Sequence, residues 1–166
     1  IRANSLEDAK ITAYHIGFVL GPCINASGRL DTAARSLALL NAKTKEEAAR
    51  LAGDLTALNQ SRKALTEKGK EEAIRIIETT ELKNDRVLVV YLPDCHESLA
   101  GIIAGRIREK YHRPAFVLTG GETSAKGSGR SIESYSMYEE LVKCADLMIQ
   151  FGGHPMAAGL SIEEKN

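Results

Sequence analysis

The 166 residues carry 22 Lys and Arg against 22 Asp and Glu, so the formal net charge is zero and no global basic field draws the chain onto nucleic acid; any phosphate contact has to be local. A hydrophobic content of 43% at this length fits one ordinary domain, or a small domain with a helical arm, held by its own core without disulfides or structural metal. Cys23, Cys95 and Cys144 are an odd number without CxxC spacing, which argues for a reducing, cytoplasmic setting, and no apolar run or N-terminal pattern marks a membrane helix or secretion signal.

From the N-terminus, a short polar start leads into Gly21-Pro-Cys-Ile-Asn-Ala-Ser-Gly-Arg-Leu30, whose composition predicts a loop. Asp31 is placed to cap a helix with Ala34, Leu37, Ala38 and Asn41 on one face, ending near Ala42. Thr44-Lys-Glu-Glu47 fits a capping box, and Ala48, Leu51, Ala52, Leu55, Leu58, Leu65, Ala73 and Ile77 recur behind it at helical spacing, predicting one long helix to about Thr80. The polar run from Asn59 to Lys63 interrupts the stripe and Gly69 costs about 1 kcal/mol relative to alanine, so a bend or break is expected there.

From Asp85 the pattern alternates. The run from Val87 to Leu92, closed by Pro93, predicts a buried strand; Ser98 to Tyr111 predicts a helix with Leu99, Ile102, Ile103 and Ile107 inward; Ala115 to Leu118 predicts a second strand, joined to the first by a right-handed parallel crossover. Residues 120–131 read as a Gly/Ser-rich turn entering an extended segment from Ser124 to Ile132. Ser136-Met-Tyr-Glu139 announces a helix to about Ile149, and a last strand is expected from Ala157 to Ile162. The composition changes near residue 84. The fold class read here is α/β, a small mixed sheet with flanking helices in residues 85–166, preceded by a long, mainly helical connector in residues 1–84. The chain starts at Ile1 and stops at Asn166 just after a predicted strand, which reads as a fragment of a longer protein.

Alternate residues of an extended segment share a face, so Lys126, Ser128 and Arg130 point one way and Gly127 and Gly129 the other. Two cations, a hydroxyl and bare backbone make an anion site; a solvated strand edge is the plainer alternative. Gly152 and Gly153 in Phe151-Gly-Gly-His-Pro155 suit a backbone that turns or touches a ligand, with His154 at the lip of a cleft, although a glycine turn with a surface histidine also accounts for them. Asn25 and Arg29, separated by small residues, form a third candidate. His96, in Asp94-Cys-His-Glu97, follows the first predicted parallel strand, where ligands bind in open α/β sheets, but its neighbourhood lacks metal-ligand spacing. Arg106, Lys110 and Arg113 form a basic stripe that is ordinarily a solvated face. No Ser/His/Asp order, Walker loop, dinucleotide fingerprint or two-metal carboxylate cluster is present, so no catalytic residue and no metal ligand is assigned.

From about Ile16 onward these segments resemble the bacterial RecJ exonucleases of the DHH phosphoesterase superfamily. Gly21 to Leu30 is similar to that family's Pro-Arg-Ile-Asn-Ala-Ala-Gly-Arg-Leu segment, departing from it at Cys23, and the long helix looks like its interdomain connector. His96-Glu-Ser-Leu-Ala-Gly-Ile-Ile-Ala-Gly-Arg106, Lys126-Gly-Ser-Gly-Arg-Ser131 and Phe151-Gly-Gly-His154 look like motifs of its DHH-associated domain. The resemblance implies a 5′-to-3′ exonuclease on single-stranded DNA in repair and recombination. It implies Mn2+ or Mg2+ held by a DHH catalytic domain of the same parent chain, with no cofactor expected in this segment, which alone is expected to be inactive. It further implies that Ser128 and Arg130 hold a terminal 5′ phosphate, that Gly152, Gly153 and His154 contact the strand near the scissile phosphate, and that Asn25 and Arg29 face the cleft. Two other readings stand beside it: a DHH-family phosphodiesterase of cyclic dinucleotides or short oligonucleotides, and an RNA-binding accessory domain.

Overall fold

The computed structural model describes residues 1–121 and 123–165; Glu122, inside the turn expected over 120–131, and Asn166 lie outside the described residues. The chain forms two compact units, Ile1–Ala64 and Leu65–Asn166.

The first unit is helical. A 3-10 turn, Arg2–Asn4, and a π-helix, His15–Leu20, precede α1 (Gly21–Leu30), α2 (Ala34–Asn41) and the first half of α3 (Lys45–Thr79). The loop expected over residues 21–30 is therefore a helix. Pro22 sits in its first turn, where a missing N–H costs nothing, and Cys23, Ala26 and Ser27 offer a small, buried face. Ser27 Oγ lies 2.7 Å from Ser36 Oγ, and Ser36 Oγ donates to the Ile24 carbonyl at 2.7 Å. That link turns Ser36 inward and leaves Leu37 and Leu40 exposed, so the apolar face expected of α2 is not the one it buries. Asp31 does not cap α2 either: its carboxylate accepts from Thr32 N at 2.7 Å and pairs with Arg35.

α3 begins as its sequence dictates. Thr44 Oγ1 accepts from Glu47 N at 3.1 Å, while Glu47 Oε2 reaches back to Lys43 N at 3.0 Å. The helix then runs unbroken through both positions where a break was expected. Asn59 is buried rather than solvated: its Nδ2 donates to Cys23 Sγ at 3.4 Å and its Oδ1 accepts from Arg62 Nε at 3.1 Å, so the polar run is satisfied in place.

The second unit takes the rest of α3, a 3-10 turn (Glu81–Asn84), β1 (Leu88–Leu92), α4 (Glu97–Tyr111), β2 (Ala115–Thr119), β3 (Ala125–Arg130), α5 (Met137–Lys143), a 3-10 turn (Ala145–Leu147), β4 (Met148–His154) and β5 (Ala157–Ile162). The five-stranded sheet has the order β1-β2-β3-β5-β4, with β1 and β2 parallel and every other pair antiparallel. The fold is thus a mixed sheet with flanking helices behind a long helix, as the sequence predicts. α4 buries Leu99, Ala100, Ile103, Ala104 and Ile107. Gly69 of α3 faces this helix, since a Cβ there would sit 2.6 Å from Ile103 Cδ1; the glycine permits close helix approach instead of breaking α3. The other core gathers Phe116, Met137, Leu141 and Ala158, and a Cβ on Gly129 would meet Phe116 Cε1 at 2.5 Å.

Two expected elements differ. β1 is an edge strand with one buried face: Leu88, Val90 and Leu92 are inside, whereas Val89 and Tyr91 are 47% and 42% exposed. The helix expected to reach Ile149 stops at Lys143; the 3-10 turn Ala145–Leu147 follows, and the chain from Met148 onward pairs with β5. Its capping box does not form. The buried Ser136 hydroxyl makes no hydrogen bond among the described residues, and the Pro155 carbonyl instead takes Met137 N at 3.0 Å, tying α5 to the β4–β5 turn.

Tyr111, at the end of α4, donates its hydroxyl to Glu78 Oε1 on α3 at 2.6 Å. Burial, then this hydrogen bond, push the phenol up to about 12. A group whose folded pKa is raised stabilises below its unfolded pKa, about 10 for tyrosine, and loses that contribution as pH rises through the folded value. The urea midpoint is therefore expected to fall between about pH 10 and 12. Tyr91 and Tyr135 shift in the same direction, so Tyr111→Phe removes part of the slope; an unchanged slope would contradict the assignment.

Candidate phosphate-binding site

Strand register assembles the site. Lys126 pairs with Ser161, Ser128 with Gly159 and Arg130 with Ala157 across β3 and β5; Gln150, Gly152 and His154 of β4 continue the same three rows. Paired residues share a face. This is the face on which α4 packs: a Cβ on Gly101 would lie 2.7 Å from Arg130 Nη2 and 2.8 Å from Ser128 Oγ, and Lys126 reaches Glu97. The portion of the face formed by β5 and β4 carries serine, glycine and glutamine. A pocket of about 540 Å³ opens there between the first turn of α4 and the strands, lined by Glu97, Ser98, Lys126, Ser128, Gln150, Gly152, Gly159 and Ser161 among others.

Its donors are of the kind an anion would use. Arg130 Nη1 donates to Ser128 Oγ at 3.2 Å and to the Gly129 carbonyl at 2.7 Å, which fixes the guanidinium beside the hydroxyl. Lys126 Nζ pairs with Glu97 Oε2 at 2.6 Å. The N-terminus of α4, capped by His96 Nδ1 accepting from Ser98 N at 3.3 Å, adds a positive helix end. Gly152 has nothing within 4 Å of the Cβ position, so part of the floor is bare strand backbone open to a ligand.

Lys126, Ser128 and Gly152 line the pocket, and Arg130 joins it through Ser128. The other candidates take different places. Phe151 to His154 is strand rather than turn. Gly153 belongs to the opposite face, with φ +158 and its Cβ position 2.6 Å from Ala158 Cα, so its glycine is required by packing. His154 is exposed, and its Nδ1 accepts from Met156 N at 3.3 Å, shaping the β4–β5 turn. His96 caps α4, and burial pushes the neighbouring Cys95 thiol up, away from thiolate chemistry. Asn25 and Arg29 belong to the first unit, exposed and one turn apart on α1. Burial, and secondarily the Arg29 charge, pull the Arg62 guanidinium in that unit down. The basic stripe is largely engaged: Arg106 pairs with Glu109 at 3.0 Å and Arg113 donates to the carbonyls of Lys83 and Asp85. Glu97, Ser98, Gln150 and Ser161 are pocket residues that sequence reasoning missed. Period-two alternation from Gly152 points to Gln150, but the helix expected to reach Ile149 concealed it.

Gly101 leaves room for the guanidinium and the Ser128 hydroxyl. Gly101→Ala is expected to displace both and weaken phosphate binding about three- to tenfold, the worth of one ordinary hydrogen bond, with little loss of stability because alanine favours the helix by about 1 kcal/mol. Phosphate titration and urea unfolding of the variant separate the two effects.

A mixed sheet with a pocket between a helix start and a glycine-bearing strand pair defines the class. Residues 84–166 match the family described as DHHA1 domain, and the chain belongs to that family. Almost its whole length is also similar to RecJ proteins. It is 40% identical over 172 residues to the "Single-stranded-DNA-specific exonuclease RecJ" of Salmonella typhimurium, covering 99% of this chain and 30% of the relative. It is 42% identical over 163 residues to that of Escherichia coli, covering 93% and 28%. The crystal structure of RecJ in complex with Mg2+ from Thermus thermophilus superposes with a TM-score of 0.82 at 32% identity over 96% of this chain and 25% of that one. The Mn2+ complex from the same source gives 0.82 at 33% identity, over 96% and 24%. The chain thus spans under a third of the length of these relatives. Among the described residues no group of three or more His, Cys, Asp or Glu side chains comes together as candidate metal ligands. Among them, too, no helix is long and apolar enough to cross a membrane.

Proposed function

We propose that this chain is the substrate-binding part of a metal-dependent 5′-to-3′ single-stranded-DNA exonuclease of repair and recombination, working in the cytoplasm. Residues 1–84 serve as the connector and residues 85–166 as the DHH-associated domain. The observation that carries this reading is the meeting of Lys126 and Ser128, with the Arg130 guanidinium bonded to Ser128, at a pocket floored by the bare backbone of Gly152. A phosphate needs short, charged donors around oxygen atoms and a backbone that it can approach. Ser128 and Arg130 hold the terminal 5′ phosphate, Lys126 adds a charge, and Gly152 leaves space for the strand. His96, Gly153 and His154 keep the helix start and the β4–β5 turn in shape around it, while Asn25 and Arg29 contribute contacts from the connector.

Hydrolysis belongs to a DHH catalytic domain of the same parent chain that holds Mn2+ or Mg2+. The chain by itself does not cleave DNA. Relatives named as single-stranded-DNA-specific exonucleases support this reading over a cyclic-dinucleotide phosphodiesterase or an RNA accessory. An amide-shift titration with a 5′-phosphorylated oligothymidylate tests it: Ser128, Gly152, Gly159 and Ser161 are expected to move together. Shifts confined to residues outside the pocket would contradict it.

A further inference from the structure

The ammonium that a phosphate would use is already occupied. Lys126 Nζ lies 2.6 Å from Glu97 Oε2, with both side chains about half exposed. These two are the charged residues of the pocket lining, so their charges offset each other there, and the Arg130 guanidinium bonded to Ser128 supplies the positive charge that remains beside it. Glu97 also sits in the first turn of α4, where the helix end favours a negative group. Its carboxylate therefore takes both sources of positive potential that line the pocket, the lysine and the helix start.

We infer that Glu97 is an internal competitor for the pocket's phosphate, an affinity-setting residue whose carboxylate holds the place of the phosphate on Lys126 and has to swing aside when one enters. The inference rests on the phosphate-binding reading above. An exposed ion pair is weak, so the carboxylate yields to a phosphate without closing the site. A phosphomonoester, near two negative charges at neutral pH, makes a stronger partner for Lys126 than the single carboxylate does. The competition has a functional consequence. It keeps the grip on the strand end releasable, which an enzyme that shortens a strand stepwise requires after every cut.

The test is a double-mutant cycle read by fluorescence anisotropy with 5′-phosphorylated oligothymidylate, using the full chain as wild type, Glu97→Gln, Lys126→Ala and the double variant. Glu97→Gln is expected to tighten binding about three- to tenfold, the release of an exposed ion pair plus the loss of like-charge repulsion. In the Lys126→Ala background the same change should give a much smaller gain. Weaker binding in Lys126→Ala with no tightening in Glu97→Gln overturns the competition while the phosphate-binding reading stands. Equal gains in both backgrounds also overturn it, since they report only net charge. Binding that neither substitution alters overturns both.

Discussion

Arg130→Ala is expected to lower the affinity for 5′-phosphorylated single-stranded DNA at least about tenfold, because a hydrogen bond between charged groups contributes about 1.5–3 kcal/mol. The guanidinium is preorganised for this role. One nitrogen donates to the Gly129 carbonyl at 2.7 Å and to Ser128 Oγ at 3.2 Å, and the missing side chain of Gly101 leaves room for the rest of the fork. Its position is therefore set before a ligand arrives, and little side-chain entropy remains to be lost on binding. Folding should hardly change, as Arg130 is only half-buried and the Gly129 carbonyl keeps its place in the backbone. Fluorescence anisotropy with 5′-phosphate and 5′-hydroxyl oligonucleotides checks the result: the variant loses the phosphate-dependent part of the affinity and keeps the remainder. An equal loss for both oligonucleotides would place Arg130 on the strand backbone instead of its end.

Gly153→Ala is expected to be the most damaging small substitution in the second unit, costing about 3 kcal/mol by forced overpacking. The added carbon would press on the Ala157 carbonyl oxygen and stand 2.6 Å from Ala158 Cα. Both are backbone atoms of the paired strand, which cannot turn aside as a side-chain tip does. The φ of +158 adds a conformation that residues with a side chain rarely adopt. Gly152 provides the comparison, since a Cβ there meets nothing within 4 Å. Urea unfolding should show Gly153→Ala strongly destabilised and Gly152→Ala close to wild type, while Gly152→Ala places a methyl on the pocket floor. Similar stabilities for the two variants would contradict this division of labour between adjacent glycines.

Sequence period carries the fold where side chains alternate between interior and solvent over a whole element. That holds for α3, announced by Thr44 and Glu47, for α4 with its inward Leu99, Ile103 and Ile107, and for the strand that holds Ser128, whereas the strand around Val117, buried on both faces, is legible as a continuous apolar run. It fails where a local signal is outweighed by a distant partner. The glycine and proline of residues 21–30 suggest a loop, yet Cys23, Ala26 and Ser27 pack as a small-residue helix face because Ser36 and Asn59 come to meet them. Gly69 looks like a helix breaker until Ile103 is seen against it, and Ser136 looks like a cap until the Pro155 carbonyl takes the amide of Met137.

The site divides in the same way. Lys126, Ser128 and Arg130 are legible as one face because a strand has period two. That Gly152 faces the pocket while Gly153 faces the core follows from register with Gly159 and Ala158, which no local pattern encodes. Glu97 and Ser98 enter the site because α4 starts beside β3, again a tertiary fact.

Recognition of a terminal phosphate by the pocket beside Lys126, Ser128 and Arg130 is the central proposal. Its most direct test is the affinity of the chain for one single-stranded oligonucleotide prepared with a 5′ phosphate and with a 5′ hydroxyl, at a stated salt concentration because phosphate contacts are salt-dependent. Tighter binding of the phosphorylated strand by about tenfold or more is predicted from one charged hydrogen-bond fork. Equal affinities for the two strands would contradict it.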